Sequence, residues 1–187
     1  MTRWEPDARG RLALAALELF NERGYDQTTA AEIARRAGLT ERTFFRHFAD
    51  KREVLSGGSE VLRERLVGGI EKAPDGLSPI DMVGVALESA AEVFGERDDV
   101  TRLRRAVVAA NPELQERELI KMAMLAAALA GALRGRGVDD PAASLAAEAG
   151  IAVMKVAYQC WADDAAGPSL RQVIRESLAE MKAVARS

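Results

Sequence analysis

At 187 residues the chain has room for one ordinary domain or a small domain joined to a larger one, and 48% hydrophobic residues suffice for a substantial core. Its 26 basic and 29 acidic residues give a formal charge of −3, which excludes a uniformly basic nucleic-acid binder and requires the charge to be read segment by segment. The single cysteine, Cys160, rules out an intramolecular disulfide framework and a cysteine-rich metal cluster, and the single histidine, His47, has no partners for a metal or catalytic role.

Met1 to Asp7 lack the apolar stretch of a signal peptide, and the most apolar run, Met122 to Leu133, is shorter than the roughly 20 residues that cross a bilayer. The expectation is a cytoplasmic protein without a membrane partner. Alternating β-branched runs are absent, while Ala, Leu, Glu and Arg recur at helical spacing, so the predicted fold is all-α with about nine helices. Leu12, Ala16, Leu19 and Phe20 share one face of a first helix that Gly24 ends. Thr29-Ala30-Ala31-Glu32 reads as a capping box opening a second helix, which Gly38 closes; Thr40 caps a third. Asp50 and Glu53 repeat the box for a fourth helix, with Val54, Leu55, Leu62, Leu66 and Ile70 as its apolar side and Ala73-Pro74-Asp75-Gly76 as its end.

Ser78-Pro79 starts a fifth helix, Gly95 marks an interruption, and Asn111-Pro112 opens a long helix to about Arg134. Asp139-Asp140-Pro141 opens an eighth helix to about Asp163, and Gly167-Pro168-Ser169 introduces a ninth carrying Leu170, Val173, Ile174, Leu178 and Met181. Gly57-Gly58 and Gly68-Gly69 fit a pliable connector or, preferably, close packing against a neighbouring helix, since each helical glycine costs about 1 kcal/mol relative to alanine.

Two short helices joined by a glycine turn form a helix-turn-helix, whose second helix enters the DNA major groove. At about 100° per residue, Phe44 and Phe48 fall on the packed side of the third helix. Arg42, Thr43 and Arg46 fall opposite, flanked by Phe45 and His47. That face offers a guanidinium for guanine O6 and N7, a methyl-bearing hydroxyl for thymine and further donors for phosphate. Between Thr28 and Arg52 six basic residues stand against three acidic ones, and Lys51 beside the start of the fourth helix suits a phosphate. Arg35 and Arg36 read equally well as solvated surface.

The series Ala16-Leu17-Glu18-Leu19-Phe20, Arg23-Gly24-Tyr25, Thr28-Thr29, Glu32-Ile33-Ala34, Ala37-Gly38-Leu39-Thr40, Phe44-Phe45-Arg46-His47-Phe48 and Lys51 resembles the N-terminal domain of the tetracycline-repressor (TetR/AcrR-type) family of transcriptional regulators. The resemblance covers about 45 residues. It implies a three-helix DNA-binding domain over residues 1–52 and a C-terminal bundle over 53–187 that dimerises through its last two helices and binds an effector. It further implies a phosphate contact for Thr29, base reading around Thr43, and backbone positioning by Phe45, His47 and Lys51. The sequence departs from the family at Phe45, usually a tyrosine with a phosphate-binding hydroxyl, and at Ala31, where the founding member has a base-reading arginine. Specificity is therefore expected at Arg42, Thr43 and Arg46.

In the eighth helix Leu145, Ala149, Ala152, Val153, Val156 and Cys160 form one stripe, and Met154, Tyr158 and Trp161 lie towards another. A helix apolar on two sides must bury both, one in its own core and one against a symmetry mate. Arg102, Arg105, Lys155 and Tyr158 are the leading polar candidates for an effector pocket, with Arg104, Asn111, Lys121 and Gln159 behind them. Abundant Ala, Leu and Met suggest a hydrophobic effector, and Arg102 or Arg105 an anionic one. No cofactor or metal is expected. The overall expectation is a dimeric repressor of a palindromic operator, released by a small molecule; a sensor of the same fold without DNA binding and an activator are the alternatives, and no catalytic constellation is present in the sequence.

Overall fold

The computed structural model describes residues 8–56, 59–94, 99–164 and 166–186. Among these the only regular elements are helical: α1 (Ala8–Arg23), α2 (Ala30–Arg36), α3 (Glu41–His47), α4 (Ser59–Glu71), α5 (Pro79–Ala90), α6 (Asp99–Ala110), α7 (Pro112–Gly135), α8 (Ala142–Asp163) and α9 (Leu170–Val184), with 3-10 turns over Glu53–Ser56 and Ala91–Phe94. The all-α expectation holds, as do two of the predicted starts: Ser78 caps α5 ahead of Pro79, and Ser169 caps α9. Gly57-Gly58 and Gly95, read as connector or packing glycines and as an interruption, lie outside the described residues.

The chain divides into two compact units, Met1–Gly57 with Asp98–Glu118, and Gly58–Arg97 with Leu119–Ser187. The first does not follow chain order. Val107 of α6 and Leu114 of α7 are buried in one core with Leu12, Phe20, Tyr25, Ile33, Phe44, Phe48, Val54 and Leu55. Arg104 of α6 adds polar ties, donating to the Leu55 carbonyl at 3.2 Å and to Glu118 at 2.9 Å. Arg104 was among the lesser effector candidates, and these partners give it a structural task. Asn111 likewise turns its amide nitrogen back to donate to the Val107 carbonyl at 2.5 Å.

The fourth helix differs from expectation. Asp50 and Glu53 do form reciprocal caps: Asp50 accepts from the Arg52 and Glu53 amides at 2.8 and 3.0 Å, and Glu53 accepts from the Ala49 amide at 2.7 Å. What they cap is a 3-10 turn, and α4 begins only at Ser59. The stripe read as one apolar face is thus divided, with Val54 and Leu55 in the first core and Leu62, Leu66 and Ile70 in the second.

In the second unit α4 packs along α5, and α8 lies on α5 and α9. Its core is built from Leu66, Ile70, Val83, Leu87, Leu129, Leu133, Met154, Trp161 and Ile174, with many alanines that let helices approach closely. Gly69 marks the tightest approach: a Cβ there would stand 2.5 Å from the Ala86 Cα, whereas one at Gly68 would meet nothing within 4 Å. The favoured packing reading therefore applies to Gly69 and not to its neighbour. Gly68→Ala is expected to raise stability by about 1 kcal/mol through helix propensity. Gly69→Ala is expected to lower it by about 1–3 kcal/mol, because backbone on the facing helix cannot yield as a side chain would. Paired thermal melts check this; equal shifts in both variants would contradict it.

Candidate nucleic-acid interface

α2 and α3, seven residues each, are too short to be stable in isolation and depend on caps and packing. Thr29 accepts from the Glu32 amide at 3.2 Å while Glu32 accepts from the Thr29 amide at 3.0 Å, so the predicted capping box is complete. The Thr29 N–H and hydroxyl together hold the Glu32 carboxyl below its ordinary range. Gly38, at φ +68°, ends α2 in the left-handed conformation, its amide donating to the Arg35 carbonyl and that of Leu39 to Ala34. Thr40 then caps α3 by accepting from the Thr43 amide at 3.2 Å.

Arg11 completes the turn in a way that sequence spacing did not reveal. Its guanidinium reaches across from α1 to donate to the Ala37 carbonyl at the end of α2. No local pattern announces this contact, since the partners are 26 residues apart.

The recognition helix is sharply two-sided. Phe44 and Phe48 are 0% and 2% exposed, with ring centroids 5.5 Å apart, and Phe44 meets Phe45 edge-on at 5.3 Å. Arg42, Phe45 and Arg46 are exposed, Thr43 and His47 half-buried. Arg42, Thr43 and Arg46 thus stand on the open side with Thr40 at the helix start. His47 is turned far enough inward that its Nε2 is buried without a hydrogen-bond partner among the described residues, which leaves only its other nitrogen for an outside contact.

Ion pairing sorts the six basic residues of this segment. Arg36 is bound to Glu22 at 2.7 Å and Glu18 at 3.2 Å, tying α2 to α1, and Arg52 is bound to Asp50 at 2.7 Å. Arg42 and Arg46 have no carboxylate partner among the described residues, so their charge is available to a polyanion.

Lys51 is placed differently from the expected phosphate contact. Its ammonium donates to the carbonyls of Tyr25 at 2.8 Å, Thr28 at 3.3 Å and Asp26 at 3.4 Å, and sits 4.2 Å from the centroid of the Tyr25 ring. Three carbonyls and an aromatic face engage all three donors of a lysine. In this structure Lys51 fastens the loop before α2.

The effector candidates are divided between the two units. Arg102 and Arg105 lie on α6 in the first unit, while Lys155 and Tyr158 lie on α8 in the second. Lys155 is exposed; Tyr158 is half-buried between Phe94 at 5.1 Å and Trp161 at 5.7 Å. Two grooves open to solvent flank α9, one against α8 and one against the starts of α5 and α8, and none of the four residues lines either. No described helix is long and apolar enough to cross a membrane.

The two stripes of α8 separate as its composition implied. Met154 and Trp161 are buried in the core of their own unit. Leu145 and Val156 are 66% and 51% exposed, Ala152 and Cys160 are exposed and Ala149 is half-buried; only Val153 of that stripe is covered.

Comparison with known proteins accords with this arrangement. Residues 13–56 match the family described as bacterial regulatory proteins, tetR family, and residues 77–186 match the MftR C-terminal domain. The regulator TcmR of Streptomyces glaucescens is 37% identical over 81 residues, 43% of this chain and 36% of that protein. The mycofactocin biosynthesis regulator MftR of Mycobacterium tuberculosis is 32% identical over 101 residues, 54% of this chain and half of its own length. Among solved structures, the TetR-family repressor FadR of Thermus thermophilus, in complex with lauroyl-CoA, shares the fold with a TM-score of 0.53, 24% identity and 93% of each chain covered. These relatives are named as transcriptional regulators and not as enzymes. With the helix-turn-helix matched at one end and more than half of the sequence matched at the other, the chain belongs to the tetR family of bacterial regulatory proteins, with a C-terminal domain of the MftR type.

Proposed function

We propose that the chain binds a palindromic operator as a homodimer, represses transcription there, and is released by a small molecule. The observation that carries the reading is the two-sided α3, in which buried Phe44 and Phe48 hold Arg42, Thr43 and Arg46 outward, with no carboxylate neutralising the two guanidinium groups among the described residues. Half-sites one helical turn apart require two such helices. The exposed stripe of α8, continued by Met181 and Val184 of α9 along their shared groove, is the surface that pairs them. The effector we assign is hydrophobic or amphipathic, in keeping with the apolar helices of the second unit; the lauroyl-CoA held by FadR is of that class. Release is a population shift and needs an effector whose affinity differs between the two states.

Selection of bound duplexes from a random pool tests the reading, and a two-fold symmetric consensus is expected. On that consensus, affinity is expected to fall steeply with salt as counterions are released. Arg42→Ala should weaken discrimination at one base-pair position per half-site by about 1–3 kcal/mol while sparing the others. Unchanged preference at every position in the variant would remove Arg42 from the reading face. Failure to select any sequence would favour the sensor reading.

A further inference from the structure

We propose that Glu113 is a positioning residue for the DNA-reading helices: through the Tyr25 hydroxyl it fixes the loop that presents Thr28 and Thr29, so that the corner between α6 and α7 sets the placement of the start of α2. The proposal rests on the DNA-binding reading above and adds a residue outside the helix-turn-helix to it.

Tyr25 is 3% exposed and packs edge-on against Phe20 at 5.0 Å. A buried phenol hydroxyl needs a partner. Here it meets Glu113 Oε2 at 3.3 Å, 88 residues away in the chain. Burial, then the negative charge of Glu113, push the phenol's proton affinity well above its ordinary value, so the hydroxyl remains the donor. The other face of the ring carries the Lys51 ammonium, which in turn holds the carbonyls of Tyr25, Asp26 and Thr28. Thr28 is buried, and its hydroxyl donates to the Gly24 carbonyl at 2.9 Å. Carboxylate, phenol and ammonium therefore act in series on the residues from Gly24 to Thr28 after α1, and the next residue, Thr29, is the cap of α2.

The fold does not require this contact. Glu113 is exposed and supplies a single hydrogen bond, whereas the core that includes Tyr25 is built from apolar side chains such as Phe20, Val54, Val107 and Leu114. Its effect is therefore geometric: the Tyr25 hydroxyl gives a displacement of the α6–α7 corner a directional polar route to the start of α2, beside the apolar packing of the core that holds Tyr25 and Leu114.

The test uses the full chain with Tyr25→Phe, Glu113→Ala, the double variant, and Glu113→Gln, whose amide oxygen still accepts. Hydrogen exchange over residues 24–33 is expected to quicken in the first three and remain near wild type in the fourth. On the selected operator, Tyr25→Phe and Glu113→Ala should each weaken binding about three- to tenfold, the double variant no more than either alone, and Glu113→Gln less than about twofold. Additive losses in the double variant, or unaltered exchange over 24–33 in Glu113→Ala, would overturn the proposal. The exchange measurement needs no DNA, so it decides the matter even if no operator is selected. Should Tyr25→Phe fail to fold, Glu113→Ala against Glu113→Gln decides alone.

Discussion

Phe44→Ala is expected to abolish operator binding while leaving the oligomeric state unchanged. Phe44 is fully buried at the centre of α3 and touches both Phe45 and Phe48. Its removal forfeits the transfer free energy of a large aromatic and leaves a cavity, together about 3–5 kcal/mol. A folded protein of this kind has roughly 5–15 kcal/mol in total, and a seven-residue helix has little of its own to offset such a loss. The loss falls on the unit proposed to read DNA, and the proposed pairing surface belongs to the other. Phe45→Ala is the control. With its ring 53% exposed, it should shift stability by no more than about 0.5 kcal/mol and alter only DNA contacts. Thermal melts of both variants, with sedimentation and operator titration, separate the effects; retention of wild-type operator affinity by Phe44→Ala would contradict this account of α3.

How much of this was readable in advance follows from the range of the interactions. The cap of α2 depends on Thr29 and Glu32 three residues apart, the turn on the left-handed Gly38, and the Phe44–Phe48 pair on one helical turn. Each is local, so spacing sufficed. The bonds of Lys51 to the carbonyls of Tyr25, Asp26 and Thr28 were not legible, because these partners are 23–26 residues away and carry no side-chain signature. The same applies to Arg11 at the Ala37 carbonyl and to Arg104 at the Leu55 carbonyl. Chain order also hid that Val107 and Leu114 complete the first core. Arg102 and Arg105 are basic like Lys155, but residue type does not say which unit a helix joins. In α8, by contrast, two apolar stripes on one helix were enough to anticipate that one side is covered by the helix's own core.

The exposed side of α8 carries the second large effect. Val156→Glu is expected to convert the proposed dimer to monomer. In the protomer Val156 is 51% exposed, so a carboxylate there keeps its water and the fold should be disturbed by no more than about 0.5 kcal/mol. In an isologous interface the same substitution appears twice, and each charge must leave water without a partner. At about 3 kcal/mol or more per uncompensated charge, two such charges raise the dimer dissociation constant by roughly four orders of magnitude. Operator affinity should collapse with it, since a monomer engages one half-site, although the reading face of α3 is untouched. Val61→Glu, at a 50% exposed apolar position on α4 that lines neither groove along α9, supplies the comparison and should leave assembly intact. Sedimentation velocity across a dilution series resolves the two. A Val156→Glu protein that still sediments as a dimer, or equal dissociation of both variants, would move the pairing surface away from α8 and α9 and require another route by which two copies of Arg42 reach adjacent half-sites.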